Sequence, residues 1–256
     1  MARLEYKYLV PSDLLPEVRR MVLPHVEMDC YSAIRPGHEY TVRSLYLDTS
    51  RRDFYDEKLA GVKERKKLRI RGYNEYCPTA PVFLEIKRKD GMAVVKHRSA
   101  LSYQNLASFL ATGDVEQYIS AVPEDNEARD NARRFLFYFH RQALRPTVGV
   151  IYEREAYFFK FDYRLRITFD KNLRGHNNVA LNSLFHETCV RHALPNHFIL
   201  EIKTNSGFPT WIRLIISRLG LTQEALSKYV ICTETCQGRA YDAEQMKFHP
   251  VPDLRV

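Results

Sequence analysis

Charge in this chain falls on alternate residues of its most strand-like segments. Successive side chains on a β-strand point to opposite faces, so residues two apart share one face. In the first segment Arg3, Glu5 and Lys7 share a face, and Leu4, Tyr6 and Tyr8 share the other. The pattern recurs with Lys67, Arg69 and Arg71 against Leu68 and Ile70, and with Glu85, Lys87 and Lys89 against Leu84 and Ile86. Lys96 and Arg98 continue it beside Val95 and His97. Arg154 lies with Tyr152, Arg164 and Arg166 with Thr168 and Asp170, and Glu201 with Lys203.

One such face on one strand is the wet side of an ordinary half-buried sheet. Repeated over many strands, and made mostly of Arg and Lys, it calls for another arrangement. A sheet that large curls or closes. The expectation is an α+β fold: an antiparallel β-barrel tunnel, its apolar outer faces packed under helices and its charged faces turned inward. An aromatic content of 12%, with 16 Tyr and 14 Phe, favours strands over a helical bundle.

The periods place the elements. Residues 2–10 read as a strand, and Ser12 caps a helix to about Val26 with Leu14, Leu15, Val18, Met21 and Val22 on one side. Residues 39–48 read as a strand, and Ser50 caps a short helix through Phe54 and Leu59 that Gly61 ends. Strands follow at 65–73, 81–89 and 92–99, the last two joined by an Asp90-Gly91 turn. A helical stretch begins at Ser102, and residues 124–142 form a second helix. Strands resume at 147–159, 163–170 and 197–204, and Pro209 to about Cys236 is helical by the spacing of Trp211, Leu214, Ile215, Leu219, Leu226 and Val230. No linker divides the chain, so residues 1–240 are expected to form one domain and 241–256 an unassigned tail.

Lys and Arg number 39 against 31 Asp and Glu, a formal excess of +8 that suits an anionic partner. Five cysteines, Cys30, Cys77, Cys189, Cys232 and Cys236, form no CxxC pair and read as reduced thiols of a cytoplasmic protein. No run of about 18 apolar residues marks a membrane span, and the charged N-terminus does not read as a signal peptide.

Two like charges about 7 Å apart, at an effective dielectric near 20, repel by roughly 2 kcal/mol. An inward cationic array therefore taxes a marginally stable fold, and Glu5, Glu85 and Glu201 offset only part of it. The remainder argues for a multivalent anion. A chain of phosphates fits, since Arg grips phosphate oxygens with a planar fork and Lys supplies point charges. Glu5 and Glu201, oxygen ligands among cations, suit a magnesium or manganese ion.

In their order along the chain, RLEYKYLV, YTVRSLYLDT, KLRIRGY, FLEIKRK, VVKHR, PTVGVIYEREAY, LRITFD, LEIK and LSKYV resemble a known family. It is the triphosphate tunnel (CYTH-like) superfamily, and within it the polyphosphate polymerase domain of vacuolar transporter chaperone (VTC) type. The resemblance implies that Lys7, Arg69, Arg71, Lys87, Lys96, Arg154 and Arg166 hold phosphates, joined by Lys203 on the same face. It implies that Glu201 coordinates the metal and that Ser227 and Lys228 on the terminal helix close over the chain. Fungal members carry a second lysine two residues before the serine, where this chain has Ala225.

The activity implied is metal-dependent transfer of the ATP γ-phosphoryl group to polyphosphate. Lys7 and Arg166 would orient the donor and Glu201 would place the metal. Two alternatives stay open: hydrolysis of a triphosphate, and polyphosphate binding without turnover. Tunnel phosphatases carry ExExK, where this chain has Arg3-Leu4-Glu5-Tyr6-Lys7, which leans away from hydrolysis. The sensing domain and membrane helices of the fungal proteins do not appear in this sequence, so export is expected to need a separate membrane protein. No nucleic-acid partner is expected. The scattered histidines show no metal spacing, Cys232 and Cys236 read as core residues, and Arg129, Arg133 and Arg134 read as a solvated helix face. Phe135, Phe137, Tyr138 and Phe139 are expected to pack that helix onto the barrel.

Overall fold

The computed structural model describes residues 4–90, 93–120, 126–205 and 207–239. Arg3, the turn at Gly91, the first residues of the 124–142 segment and the tail from Ala240 lie outside the described residues.

The strands are β1 (Leu4–Pro11), β2 (Val26–Met28), β3 (Tyr40–Asp48), β4 (Glu64–Tyr73), β5 (Pro81–Asp90), β6 (Ala93–Ser102), β7 (Arg145–Phe159), β8 (Asp162–His176), β9 (Arg191–His192) and β10 (His197–Thr204). The helices are α1 (Leu15–Val22), α2 (Cys30–Ala33), α3 (Asp53–Leu59), α4 (Leu106–Thr112), α5 (Val115–Tyr118), α6 (Glu127–Arg141), α7 (Thr210–Arg218) and α8 (Lys228–Cys236). One antiparallel sheet runs β1-β10-β8-β7-β3-β4-β5-β6, with β2 added to β7 and β9 to β8.

Apolar residues of the outer faces make two cores. Leu45, Leu47, Leu68, Ile70, Leu84 and Ile86 pack with α4 and α6 through Phe109 and Phe135. Tyr8, Val10, Ile167, Phe169, Leu200 and Ile202 pack with α1 and α7 through Val18, Val22, Ile212 and Ile215.

The α+β fold with a large antiparallel sheet is as expected, and closure of its hydrogen-bond ladder into a barrel is not seen among the described residues. Among the described residues β1 and β6 are the two ends of the sheet path and do not pair. The sheet is nonetheless rolled: Glu5 on β1 meets Lys87 on β5 at 2.7 Å, although six steps of the strand order separate them. The segment after α7 covers the open edge of β1. Gln223 bridges to Tyr8, and the Glu224 amide donates to the Lys7 carbonyl at 2.8 Å. Side chains and this segment, rather than a continuous ladder, join the rolled edges.

The segment also corrects the continuous terminal helix. Gly220 sits at φ +58°, where glycine carries no steric cost, and the chain runs on without helix before α8 starts. Ser227 is therefore the N-cap of α8, its hydroxyl accepting from the Val230 amide. The expected helix from Ser12 to Val26 is confined to α1 between short 3₁₀ turns, with Pro16 at the start of α1, Pro24 in the second turn and Val26 already in β2. α3 is capped by Asp48 rather than Ser50: the buried carboxylate accepts from the Phe54 and Tyr55 amides, both at 3.0 Å. β8 runs on to His176, and Leu214 and Phe137 point outward instead of into a core.

Candidate functional site

Strand register gathers the alternating charges on one inner face. Glu5 stands opposite Lys203, and Lys203 opposite Arg166. Lys7 stands opposite Glu201, and Glu201 opposite Thr168. Arg154 pairs with Asp170 on one side and Tyr40 on the other. Across the sheet, Tyr46, Arg69, Glu85 and Arg98 form one row, and Lys67, Lys87 and Lys96 the next.

Carboxylates organise these cations more fully than the sequence suggested. Glu85, only 1% exposed, contacts Lys96 at 2.6 Å, Arg69 at 2.7 Å, Arg98 at 3.4 Å and Arg71 at 3.8 Å. Burial pushes its carboxyl up, but Arg69, Arg71 and Lys96 outweigh that and hold it far below the usual range. Asp170 accepts both forks of Arg154, at 2.6 and 2.7 Å, and meets Lys228 at 2.6 Å. Glu201 meets Lys203 at 3.1 Å and Arg154 at 3.6 Å. Arg166 donates to Asp29 at 2.9 Å and to the Tyr40 hydroxyl at 3.3 Å.

Among the described residues, two lysines on this face hydrogen-bond to neutral groups and have no carboxylate within ion-pair distance. Lys7 donates to the Leu226 carbonyl at 3.0 Å, and Lys67 to the Ser227 hydroxyl at 2.7 Å. Burial, reinforced by Lys7, Lys58, Lys87 and Arg65, drives the Lys67 ammonium well below its ordinary value. Burial also lowers Lys7, against the pull of Glu201. Lys203 and Lys96 are each brought down to about 8, mainly by burial, with Glu201 and Glu85 respectively opposing. Among the described residues of the face, Arg166 Nε and Thr168 Oγ1 are buried without a hydrogen bond, the latter opposite Glu201.

α8 closes one end of the rolled sheet from inside. Tyr229 stacks on Tyr46 with centroids 5.0 Å apart, Lys228 Nζ lies 4.8 Å from the Tyr152 ring centre, and Val230 and Cys232 pack with Val148, Val150 and Ile199. This approach needs Gly175, where a Cβ would fall 2.7 Å from the Cys232 Cβ. The buried Cys232 thiol is pushed up by its apolar surroundings, in keeping with a core role. All five cysteines are free thiols.

The structure thus brings together Lys7, Arg69, Arg71, Lys87, Lys96, Arg154, Arg166, Lys203, Ser227 and Lys228, with Glu5 and Glu201 among them. Arg164 is left outside, exposed and paired with Asp162. Ala225 is exposed, and Lys7 and Lys67 stand on the chain beside it. The sequence reading passed over three kinds of residue. Lys67 was visible in the alternation without a role, and Glu85 was visible only as a partial offset to the cations, not as the centre that holds four of them. Lys58, Arg65 and Lys89 crowd the same end, where burial and mutual repulsion bring Lys58 down to about 8. Asp29 caps α2 and reaches Arg166 across 137 residues of chain, which no local pattern reveals.

Among the described residues no group of three or more His, Cys, Asp or Glu side chains is placed to hold a metal ion unaided. Glu5 and Glu201 stand on neighbouring strands of one face and are close enough for each to disfavour the other's charge. Burial raises Glu5, but Lys87 overcomes it and holds the carboxyl at about 2, so it is ionised and able to bind a cation.

Residues 2–237 match the VTC domain. The chain belongs to the VTC domain family. It is 26% identical over 266 aligned positions to vacuolar transporter chaperone complex subunit 4 of Schizosaccharomyces pombe, covering 88% of this chain and 36% of that protein. The chain thus spans about a third of the length of that relative. In fold it is similar to a putative adenylyl cyclase from Hippeastrum whose structure is described as revealing a dominant triphosphatase activity. That likeness has a TM-score of 0.53 and 14% identity, and covers 95% of this chain and 99% of that one. Among the described residues no helix of this VTC domain is long and apolar enough to cross a membrane.

Proposed function

We propose that this VTC domain binds a chain of phosphates along its inner face and transfers the γ-phosphoryl group of ATP to the end of polyphosphate. The observation that carries the reading is the surplus of cations over carboxylates on the inner face, with the hydrogen bonds of the Lys7 and Lys67 ammonium groups going to neutral oxygens. Such lysines cost stability until an anion arrives, and phosphate is the anion that Arg forks and Lys point charges bind best.

Arg69, Arg71 and Lys96 are preset by Glu85, and Arg154 and Lys228 by Asp170, so their donors are fixed before the ligand enters. Arg166 has a buried free Nε to offer, and Lys7 stands on the neighbouring strand but one. Together they orient the donor phosphates. Glu5 and Glu201, with the unpaired Thr168 hydroxyl opposite Glu201, would hold a magnesium or manganese ion. When bound there, the ion supplies charge neutralisation to the transferring phosphoryl group. An oxygen of the terminal phosphate forms the new bond to the γ-phosphorus as the bond to ADP breaks. That acceptor is already ionised, so no general base is needed, and the rate comes from alignment and fixed charge. A partner protein in the membrane would then carry the product, as membership of a chaperone complex would allow.

The test is incubation with ATP and manganese or magnesium, with products resolved on a gel. A polymer ladder with matching ADP is the expected result. Free phosphate without polymer would replace transfer by hydrolysis, and tight triphosphate binding without turnover would leave a binding module. Glu201→Gln should lose metal-dependent turnover while retaining triphosphate binding.

A further inference from the structure

The cations of β4 and β5 do not stop at the inner face. Arg65, Lys66 and Lys67 stand opposite Lys89, Arg88 and Lys87. Alternation puts Arg65, Lys67, Lys87 and Lys89 on the inner side and turns Lys66 and Arg88 outward. Farther along the same strands the outward positions are Leu68, Ile70, Ile86 and Leu84, all buried under helices. Toward the strand ends the outer face changes from apolar to the basic pair Lys66–Arg88 and then to Glu64 opposite Asp90, and a groove of about 400 Å³ opens between these strands and α6.

Lys66, Arg88, Arg133 and Arg134 line this groove with Phe137 and Tyr138. Among the described residues neither Lys66 nor Arg134 has a carboxylate within ion-pair distance, Glu57 attracts Lys66 from farther off, and Arg88 meets Glu64 at 3.8 Å. Arg133 is tied to Asp130 and Glu116 at the groove's outer edge. Lys66 Nζ lies 4.9 Å from the Tyr138 ring centre, which fixes its position. The groove is therefore cationic, partly preorganised, and separated from the inner face only by the thickness of β4 and β5.

We propose that the groove is a second subsite for the same polyanion: a long polyphosphate occupying the inner face turns over the rim of β4 and β5 and lies along Lys66, Arg88 and Arg134. This rests on the reading of the inner face as a phosphate site. The occupant follows from continuity of charge: three consecutive residue pairs are basic, Arg65–Lys89 and Lys67–Lys87 inward and Lys66–Arg88 outward, and beyond them Glu64 stands opposite Asp90 at the strand ends. A short triphosphate fills the inner face alone and does not reach the groove.

The experiment measures affinity for tripolyphosphate and for long-chain polyphosphate at about 0.1 M salt. It compares the natural protein with Lys66→Gln/Arg88→Gln/Arg134→Gln and with a control, Arg164→Gln/Arg213→Gln/Arg218→Gln, exposed on β8 and on α7 at the other half of the molecule. The groove variant should lose roughly tenfold for the long chain and stay within about twofold for tripolyphosphate. The control should stay within about twofold for both. Unchanged long-chain affinity in the groove variant, or an equal loss in the control, overturns the subsite and leaves the inner-face reading intact. Failure of the natural protein to bind tripolyphosphate overturns the inner-face reading itself, and the continuous track with it. An oligothymidylate that displaces the long chain from the natural protein and loses affinity alongside it in the groove variant would reassign the groove to single-stranded nucleic acid.

Discussion

Lys67 Nζ donates to the Ser227 hydroxyl at 2.7 Å, tying β4 to the N-cap of α8 across 160 residues of chain. The ammonium has no carboxylate neighbour within ion-pair distance among the described residues, and burial with four surrounding cations opposes its charge. Lys67→Met should therefore leave thermal stability unchanged or raised without ligand, since it removes a buried, uncompensated charge. Affinity for tripolyphosphate should fall roughly tenfold or more, the value of one charge-assisted hydrogen bond. Melting curves and titration calorimetry on the variant check both. A large loss of stability with intact binding would make Lys67 a structural tie and not a phosphate ligand.

Glu85 sets a complementary expectation. Removing its charge leaves Arg69, Arg71, Lys96 and Arg98 facing one another in a site 1% exposed at its centre. Glu85→Gln should destabilise the unliganded protein by about 3–5 kcal/mol. Because the freed cations seek another anion, the variant should gain more in melting temperature from added tripolyphosphate than the natural protein does. Saturation at 100 times Kd restores about 2.7 kcal/mol. A variant that melts as the natural protein does, or gains no more from the ligand, would show that the cations do not depend on this carboxylate.

The alternation of charge and apolar residues predicts strand position and face for Lys7, Arg69, Lys87, Arg154 and Glu201, because period 2 is a purely local consequence of the extended backbone. What closes the site is not local. The Glu5–Lys87 contact and the passage of Gln223 and Glu224 along β1 depend on how far the sheet rolls, which no single segment encodes. The break between α7 and α8 was hidden because its apolar residues keep a helical spacing, and only Gly220 at positive φ marks it. Asp48 outcompetes Ser50 as a cap because its two oxygens are already buried beneath the helix start, where Tyr229 also donates to one of them at 2.5 Å. Phe137 reads as core by type, yet it is 58% exposed beside the basic groove.

Lys203 links binding to pH. Its folded value is brought down to about 8, mainly by burial, against about 10.4 in an unfolded chain. The cost of keeping it charged is fully present below about pH 8 and is relieved as pH rises toward 10.4, so this group's contribution to stability increases over that window. A bound polyanion raises the value again, so binding near pH 8 should take up protons, on the order of half a proton from this group. Affinity for tripolyphosphate should accordingly weaken from pH 7 to pH 9. Calorimetry in two buffers of different ionisation enthalpy reads the uptake, and subtracting Lys203→Met removes the ligand's own titration. Equal uptake by the variant would assign the protons elsewhere, Lys96 and Lys58 being also brought down to about 8.

Gly175 tests whether α8 is part of the site or merely packs beneath it. A Cβ there would lie 2.7 Å from the Cys232 Cβ and 3.2 Å from the Gly149 carbonyl, so Gly175→Ala must push α8 away from β8. Overpacking of this kind costs about 1–3 kcal/mol. Ser227 and Lys228 begin the same helix and reach Lys67 on β4 and Asp170 on β8, so a shift of α8 loosens two ties on the inner face at once. Tripolyphosphate affinity should fall with stability in Gly175→Ala. It should be unchanged in Cys236→Ala, which removes a buried contact of α8 without forcing the helix off the sheet. The two variants separate position from stability: if both lose stability to a similar degree and only Gly175→Ala loses affinity, the placement of α8 is what the phosphate chain reads. Equal affinity in both would confine the binding site to the strands.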